Sequence, residues 1–231
     1  MFVGHRQSGS RVEFRCLEET WFHGFFQLLT DSCRIEDLPK RLESIVLIIF
    51  NYDRCFEQYL FNALQIFYRI NDQAVTSLLQ RLEIYHPYGM VGSIPWLQSN
   101  NLVPFGHDPH PQQLLNLTNQ IKTFTEGMDE SPSDVKAIRS HVAQAERMVF
   151  LGFAFHPLNL ELLLPESDVS SRIKPHRRLY ATAFGISEGN KNVILEELAR
   201  KTSLSNGPIS IRTDLKCGGL IREYFRSLSL A

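Results

Sequence analysis

Ile45-Val-Leu-Ile-Ile-Phe-Asn-Tyr-Asp-Arg-Cys-Phe-Glu-Gln-Tyr-Leu60 is the stretch that decides the fold class. Its first six residues are apolar without a break and rich in β-branched side chains. Such a run suits a short strand buried on both faces of a parallel sheet. Asn51-Tyr52-Asp53 ends the run with polar groups. Cys55, Phe56, Tyr59, Leu60, Ala63, Leu64 and Phe67 then recur at helical spacing, which predicts an amphipathic helix. Strand, polar tripeptide and amphipathic helix together open a βαβ unit.

The same alternation continues downstream. The pattern predicts a helix over Gln73–Leu82, and Ile84-Tyr85 then leads into His86-Pro-Tyr-Gly-Met-Val-Gly-Ser93. Residues 99–112 are polar and rich in Asn, His and Pro, and read as a loop or small insertion. Helices are expected over 112–124 and 132–146, the second opened by Ser131 with Pro132 at its first position. Met148–Gly152 reads as a second buried strand, followed by Phe153-Ala-Phe-His-Pro157 and a short helix over Leu158–Leu164. Arg178–Ala183 is a third strand, Glu188–Lys201 a helix and Ile209–Arg212 a further strand. Leu220, Ile221, Tyr224, Phe225 and Leu228 mark a final helix. Upstream, Trp21, Phe22, Phe25, Phe26, Leu28 and Leu29 have rough helical spacing. They read as a core-packing helix, with an interface to a second copy as the alternative. The expected fold is a single α/β domain over residues 1–231, Rossmann-like, with three layers and a mainly parallel sheet. Residues 1–44 form a helical N-terminal segment of it, and 99–145 a helical or loop insertion.

Composition narrows the function classes. The 231 residues include 24 Lys plus Arg and 25 Asp plus Glu, for a net charge of −1. That balance gives no basis for bulk attraction to nucleic acid or anionic membranes. Hydrophobic residues at 43% and charged residues at 21% fit a folded chain and argue against intrinsic disorder. None of the four cysteines stands in a C-x-x-C pair, so a zinc ribbon is not expected and no metal site is assigned. The N-terminal MFVGHRQSGS lacks the apolar core of a signal peptide. The longest apolar run, Ile45–Phe50, is far short of the roughly 18 residues needed to span a bilayer. The chain reads as cytoplasmic and without a membrane partner.

In open α/β sheets the ligand crevice lies outside the carboxyl ends of the strands. That rule selects Asn51–Asp53, His86–Ser93 and Gly152–Asn159. An amide at Asn51 can donate and accept, and so can fix a hydroxyl or a water; equally, Asn and Asp here fit helix capping. His86 offers a general base near neutral pH, or a half-buried histidine with a backbone partner. Gly89 and Gly92 permit close backbone approach to a ligand. Gly152 fits a phosphate-approach turn, or only the tight turn between a strand and a helix. His156-Pro157 reads as a helix start. His107, Asp108 and His110 read as a solvated loop rather than a metal site, and His176-Arg177-Arg178 as a basic surface cluster.

In this order the three segments resemble a sirtuin-like domain. Ile48-Ile-Phe-Asn51-Tyr-Asp53-Arg-Cys-Phe-Glu57 is similar to the family's strand-Asn-Tyr-Asp-helix motif. His86-Pro-Tyr-Gly89, with Gly92-Ser93 after it, resembles the catalytic turn. Val149-Phe-Leu-Gly152-Phe153 and Asn159 resemble the late strand that lines the adenosine side of the cofactor. The similarity runs from about residue 45 to 165. It implies a Rossmann-like sheet that binds NAD, as substrate or ligand, and cleaves its nicotinamide–ribose bond through an oxocarbenium-like transition state. Asn51 would hold the ribose or a water and His86 would accept a proton. Tyr52, Asp53, Gly89, Gly152, Phe153 and Asn159 would contact the cofactor.

The missing zinc ribbon points to the zinc-free branch, many members of which are bacterial defence proteins that hydrolyse NAD. Two positions depart from the family pattern. Its glycine-rich opening strand has only a weak echo in Met1–Gly4 and Ser8-Gly9-Ser10, which fits an N-terminally shortened or a degenerate member. Tyr88 stands where many relatives carry the histidine beside the glycine. The alternative to an NAD glycohydrolase is a non-catalytic sensor of NAD or an ADP-ribose-like molecule, or a partner-binding module.

Overall fold

The computed structural model describes residues 17–92, 111, 121, 132–165, 177–204 and 208–230. The chain divides into two compact units, residues 1–127 with 230–231 and residues 128–229. The helix expected over 112–124, Ser93, the loop carrying His107, Asp108 and His110, His176 and the weak glycine echo near the N-terminus all lie outside the described residues, apart from positions 111 and 121.

The first unit is built around α3 (Cys55–Tyr68). Before it come α1 (Trp21–Thr30), α2 (Leu38–Glu43) and β1 (Val46–Ile48); after it come α4 (Asp72–Leu79) and β2 (Glu83–Tyr85). The apolar stripe of α3 sets the core: Phe56, Tyr59, Leu60, Ala63 and Leu64 are buried with Leu29, Leu38, Leu42, Val75 and Leu79. The aromatic N-terminal stretch is the core-packing helix its spacing predicts. The Trp21 ring stacks on Phe56 at 4.6 Å, and Phe22 and Phe25 approach the same ring edge-on at 5.4 and 5.2 Å. Such aromatic pairs contribute beyond their buried area.

Strand β1 pairs with β2 in parallel, in the register Val46 with Glu83 and Ile48 with Tyr85. Parallel pairing requires a crossover, and α3 and α4 supply it. Burial on both faces was expected for β1; its three residues are instead half-buried. Among the described residues β1 has β2 as its one pairing partner.

The second unit carries three parallel strands in the order β3 (Arg147–Phe150), β4 (Arg178–Thr182), β5 (Ile209–Arg212). Around them run α5 (Pro132–Gln144), α6 (Pro157–Leu163), α7 (Glu188–Thr202), α8 (Cys217–Glu223) and α9 (Phe225–Leu228). In the middle strand Leu179–Thr182 are all buried. Here β3 corrects the expectation of a strand buried on both faces: Met148 and Phe150 are buried, Arg147 and Val149 exposed. It alternates as an edge strand with one covered face does. The expected final helix is two helices, broken at Tyr224, whose backbone (φ −102°, ψ 19°) leaves the helical region. The architecture is mixed helix and strand with short parallel sheets, compatible with an α/β fold. Among the described residues no helix is long and apolar enough to cross a membrane.

Arg177 corrects the reading of His176-Arg177-Arg178 as a surface cluster. Its side chain is 1% exposed. The guanidinium donates to the carbonyls of Val142 (2.7 Å), Ala143 (2.6 Å) and Ala145 (3.1 Å) at the end of α5. Those carbonyls have no partner within a helix, and a cation there also meets the negative end of the helix dipole. Burial lowers the Arg177 pKa from its ordinary value.

Candidate functional site

The first unit brings two of the sequence motifs together. Because β1 and β2 run in parallel, their carboxyl ends lie side by side, and the polar tripeptide after one meets the turn after the other. The Val91 amide donates to the Tyr52 carbonyl at 2.8 Å. Phe50 and Tyr88 place their rings edge to face at 5.6 Å. His86 Nδ1 lies 3.3 Å from the Asn51 carbonyl oxygen.

Each motif residue has a definite place. Asn51, Tyr52 and Asp53 are exposed. Asp53 Oδ1 accepts from the Cys55 amide at 3.0 Å, so its carboxylate caps the approach to α3 as its residue type favours. The same carboxylate, after burial, raises the Cys55 thiol to about 11. Gly89 closes the turn by donating its amide to the His86 carbonyl at 2.9 Å, at φ +78°, where glycine carries no steric cost. Tyr88 is buried, with its ring against Phe50.

His86 is held by Glu57, a residue outside the three sequence motifs' assigned site positions. Its Nε2 lies 2.7 Å from Glu57 Oε1, with the two side chains 3% and 0% exposed. Glu57 sits in the first turn of α3, where the helix dipole favours a negative charge. Buried carboxylates are rare unless paired, and here the imidazole is the pair. The other carboxylate oxygen, Oε2, is buried with no hydrogen-bond partner. Arg54, also buried, is close enough for the Glu57 charge to act on it. Desolvation lowers the Arg54 pKa, and Glu57 opposes that shift.

Both ring nitrogens of His86 face oxygen acceptors, the Glu57 carboxylate and the Asn51 carbonyl. A neutral imidazole donates from one nitrogen only, whereas the imidazolium donates from both. The carboxylate contact is the shorter by 0.6 Å (3.3 less 2.7 Å). A readable signal for Glu57 did exist: it lies three and seven residues before Leu60 and Leu64, on the apolar face of α3.

The third motif lies in the second unit. Gly152 follows β3 with φ +62°. Its amide donates to Thr182 Oγ1 at the end of β4, at 2.9 Å, so that N–H is committed within the protein. A Cβ there would meet Cys217 Sγ at an ordinary 3.7 Å, so the glycine answers to backbone conformation and not to space. Phe153 packs between Phe150 (5.1 Å) and Phe155 (5.3 Å). His156 caps α6 through Nδ1, which accepts from the Leu158 amide, and Pro157 takes the first helical position, as expected. Asn159 is half-buried in the first turn of that helix. Among the described residues no group of three or more His, Cys, Asp or Glu is placed to hold a metal ion. Compared with known proteins, the chain matches no family model, no curated protein and no solved structure.

Proposed function

We propose that the chain is a sirtuin-like, Rossmann-like NAD-binding protein that cleaves the nicotinamide–ribose bond. One observation carries this reading. Asn51–Asp53 and His86–Gly89, separated by more than 30 positions, converge at adjacent carboxyl ends of two parallel strands, where α/β proteins bind ligands. In the proposed reaction the bond between the ribose C1′ and the nicotinamide nitrogen breaks. Nicotinamide leaves with the bonding pair as a neutral base, and a water adds to the oxocarbenium carbon. Asn51, exposed beside the strand end, holds that water or a ribose hydroxyl through its amide. The water's proton passes to His86 Nδ1, the ring nitrogen that Glu57 does not hold. A positioned base of this kind contributes about 10²–10⁴-fold in rate.

A second reading, a non-catalytic sensor of NAD or an ADP-ribose-like molecule, draws on a different observation. The His86 side chain is 3% exposed and both of its nitrogens face protein acceptors. Titration calorimetry with NAD and with ADP-ribose, beside an assay for nicotinamide, separates the readings. Binding with nicotinamide release supports the hydrolase, and binding without release supports the sensor. No binding of either compound would sink both.

A further inference from the structure

We infer that Glu57 is a positioning residue for His86: it fixes the proton on Nε2 and leaves Nδ1 as the nitrogen that works. This rests on the reading of His86 as the proton acceptor. The geometry is specific. Oε1 and Nε2 are 2.7 Å apart, within the range of a charge-assisted hydrogen bond. The carboxylate is fully buried and the imidazole nearly so, so the Oε1–Nε2 contact is shielded from bulk water. Glu57 is carried by the first turn of a 14-residue helix and His86 directly follows β2. Both are therefore mounted on regular elements of one unit, as an orienting pair requires.

Two consequences follow from the chemistry of the pair. A carboxylate only accepts, so Nε2 must donate, and the lone pair of a neutral ring is then on Nδ1. Nδ1 lies 3.3 Å from the Asn51 carbonyl oxygen, so in this tautomer two lone pairs face each other, and a proton taken up on Nδ1 is donated to that carbonyl. Arg54, which precedes Glu57 by three residues, is affected by its charge. The unpartnered Oε2 leaves the carboxylate with acceptor capacity unused by His86.

The test uses the full chain labelled with ¹⁵N at histidine, with the His86 signals assigned by their loss in His86→Gln. In the wild type, ring spectra at neutral pH should show His86 with Nε2 protonated. A ring protonated on Nδ1 alone would overturn the proposal without any variant and without any activity. In Glu57→Gln, which keeps the shape and removes the charge, kcat for NAD cleavage should fall roughly 10²–10⁴-fold with KM within about threefold. The Nε2–H signal should also shift or broaden. A folded Glu57→Gln variant with unchanged kcat and an unchanged His86 spectrum would contradict the role. If the wild type cleaves no NAD, the proposed activity fails, while the tautomer still decides the positioning of His86.

Discussion

Glu57 Oε1 and His86 Nε2 stand 2.7 Å apart in the first unit with both side chains buried, and the two residues are 29 positions apart in sequence. Their contact ties the start of α3 to the end of β2. Breaking one side of a buried pair leaves the other charge uncompensated, at a cost of roughly 3–5 kcal/mol. His86→Leu should therefore be strongly destabilising in urea unfolding. Glu57→Leu combined with His86→Leu should be closer to the wild type than His86→Leu alone, because no buried carboxylate is left unpaired. A double variant as unstable as the sum of the two single variants would mean that the pair is not coupled.

Arg177 should matter to stability far more than its place in a basic tripeptide suggests. Its guanidinium satisfies the carbonyls of Val142, Ala143 and Ala145. Arg177→Met keeps an unbranched apolar stem and removes every donor. We expect a loss of about 3 kcal/mol, since hydrogen bonds from charged donors are each worth about 1.5–3 kcal/mol and the carbonyls would be left buried. Denaturation that is indifferent to this change would show that water reaches the end of α5.

At Gly152 the prediction concerns the backbone alone. Alanine at φ +62° should cost about 1–2 kcal/mol, with no added clash because the nearest atom to its Cβ would be 3.7 Å away. A shift in the urea midpoint of that order checks it. A much larger loss would point to a demand on space that the contact to Cys217 does not show.

Alkaline pH should weaken the fold through Cys55. Burial, then Asp53, raises its thiol from 9.0 to about 11. Between those values the unfolded chain releases the proton while the folded chain keeps it. The thiol's contribution is thus intact below pH 9 and is lost as pH rises towards 11. Buried Tyr59, raised to about 12, extends the same trend upward. At pH 8 the folded Cys55 has about a hundredfold less thiolate than an ordinary cysteine. Its alkylation by iodoacetamide, followed by peptide mass spectrometry, should be slowed about in proportion. Labelling at the rate of the unfolded chain would contradict this.

The alternation of apolar runs and helical spacings made most elements readable. Ile45–Phe50, Met148–Gly152 and Arg178–Ala183 each contain a strand, and Pro132 and His156-Pro157 mark real helix starts. Strand boundaries were less legible, because an apolar side chain at a strand's end looks the same whether or not it joins the ladder. The apolar runs extend to Phe50 and Leu151, past the ends of the strands at Ile48 and Phe150. The degree of burial was not legible either, since it depends on which neighbours cover a strand. Arg177 looked like surface because a guanidinium normally is, and its carbonyl partners lie more than 30 residues earlier. At the site, the meeting of Asn51 with His86 follows from parallel pairing. Glu57 could have been singled out as an acid on an apolar helix face, but its partner His86 is fixed only by the fold.

The most direct measurement of the central claim is nicotinamide release from NAD by the purified chain, compared with Asn51→Ala. Asn51 is exposed, and its described contact to His86 is made by the backbone carbonyl, so the variant should fold as the wild type does. The account predicts release by the wild type and a loss of at least about a hundredfold in the variant, on the scale of a positioned catalytic group. Release that survives the substitution unchanged would contradict the assignment of Asn51, and no release from folded wild type would contradict the hydrolase reading itself.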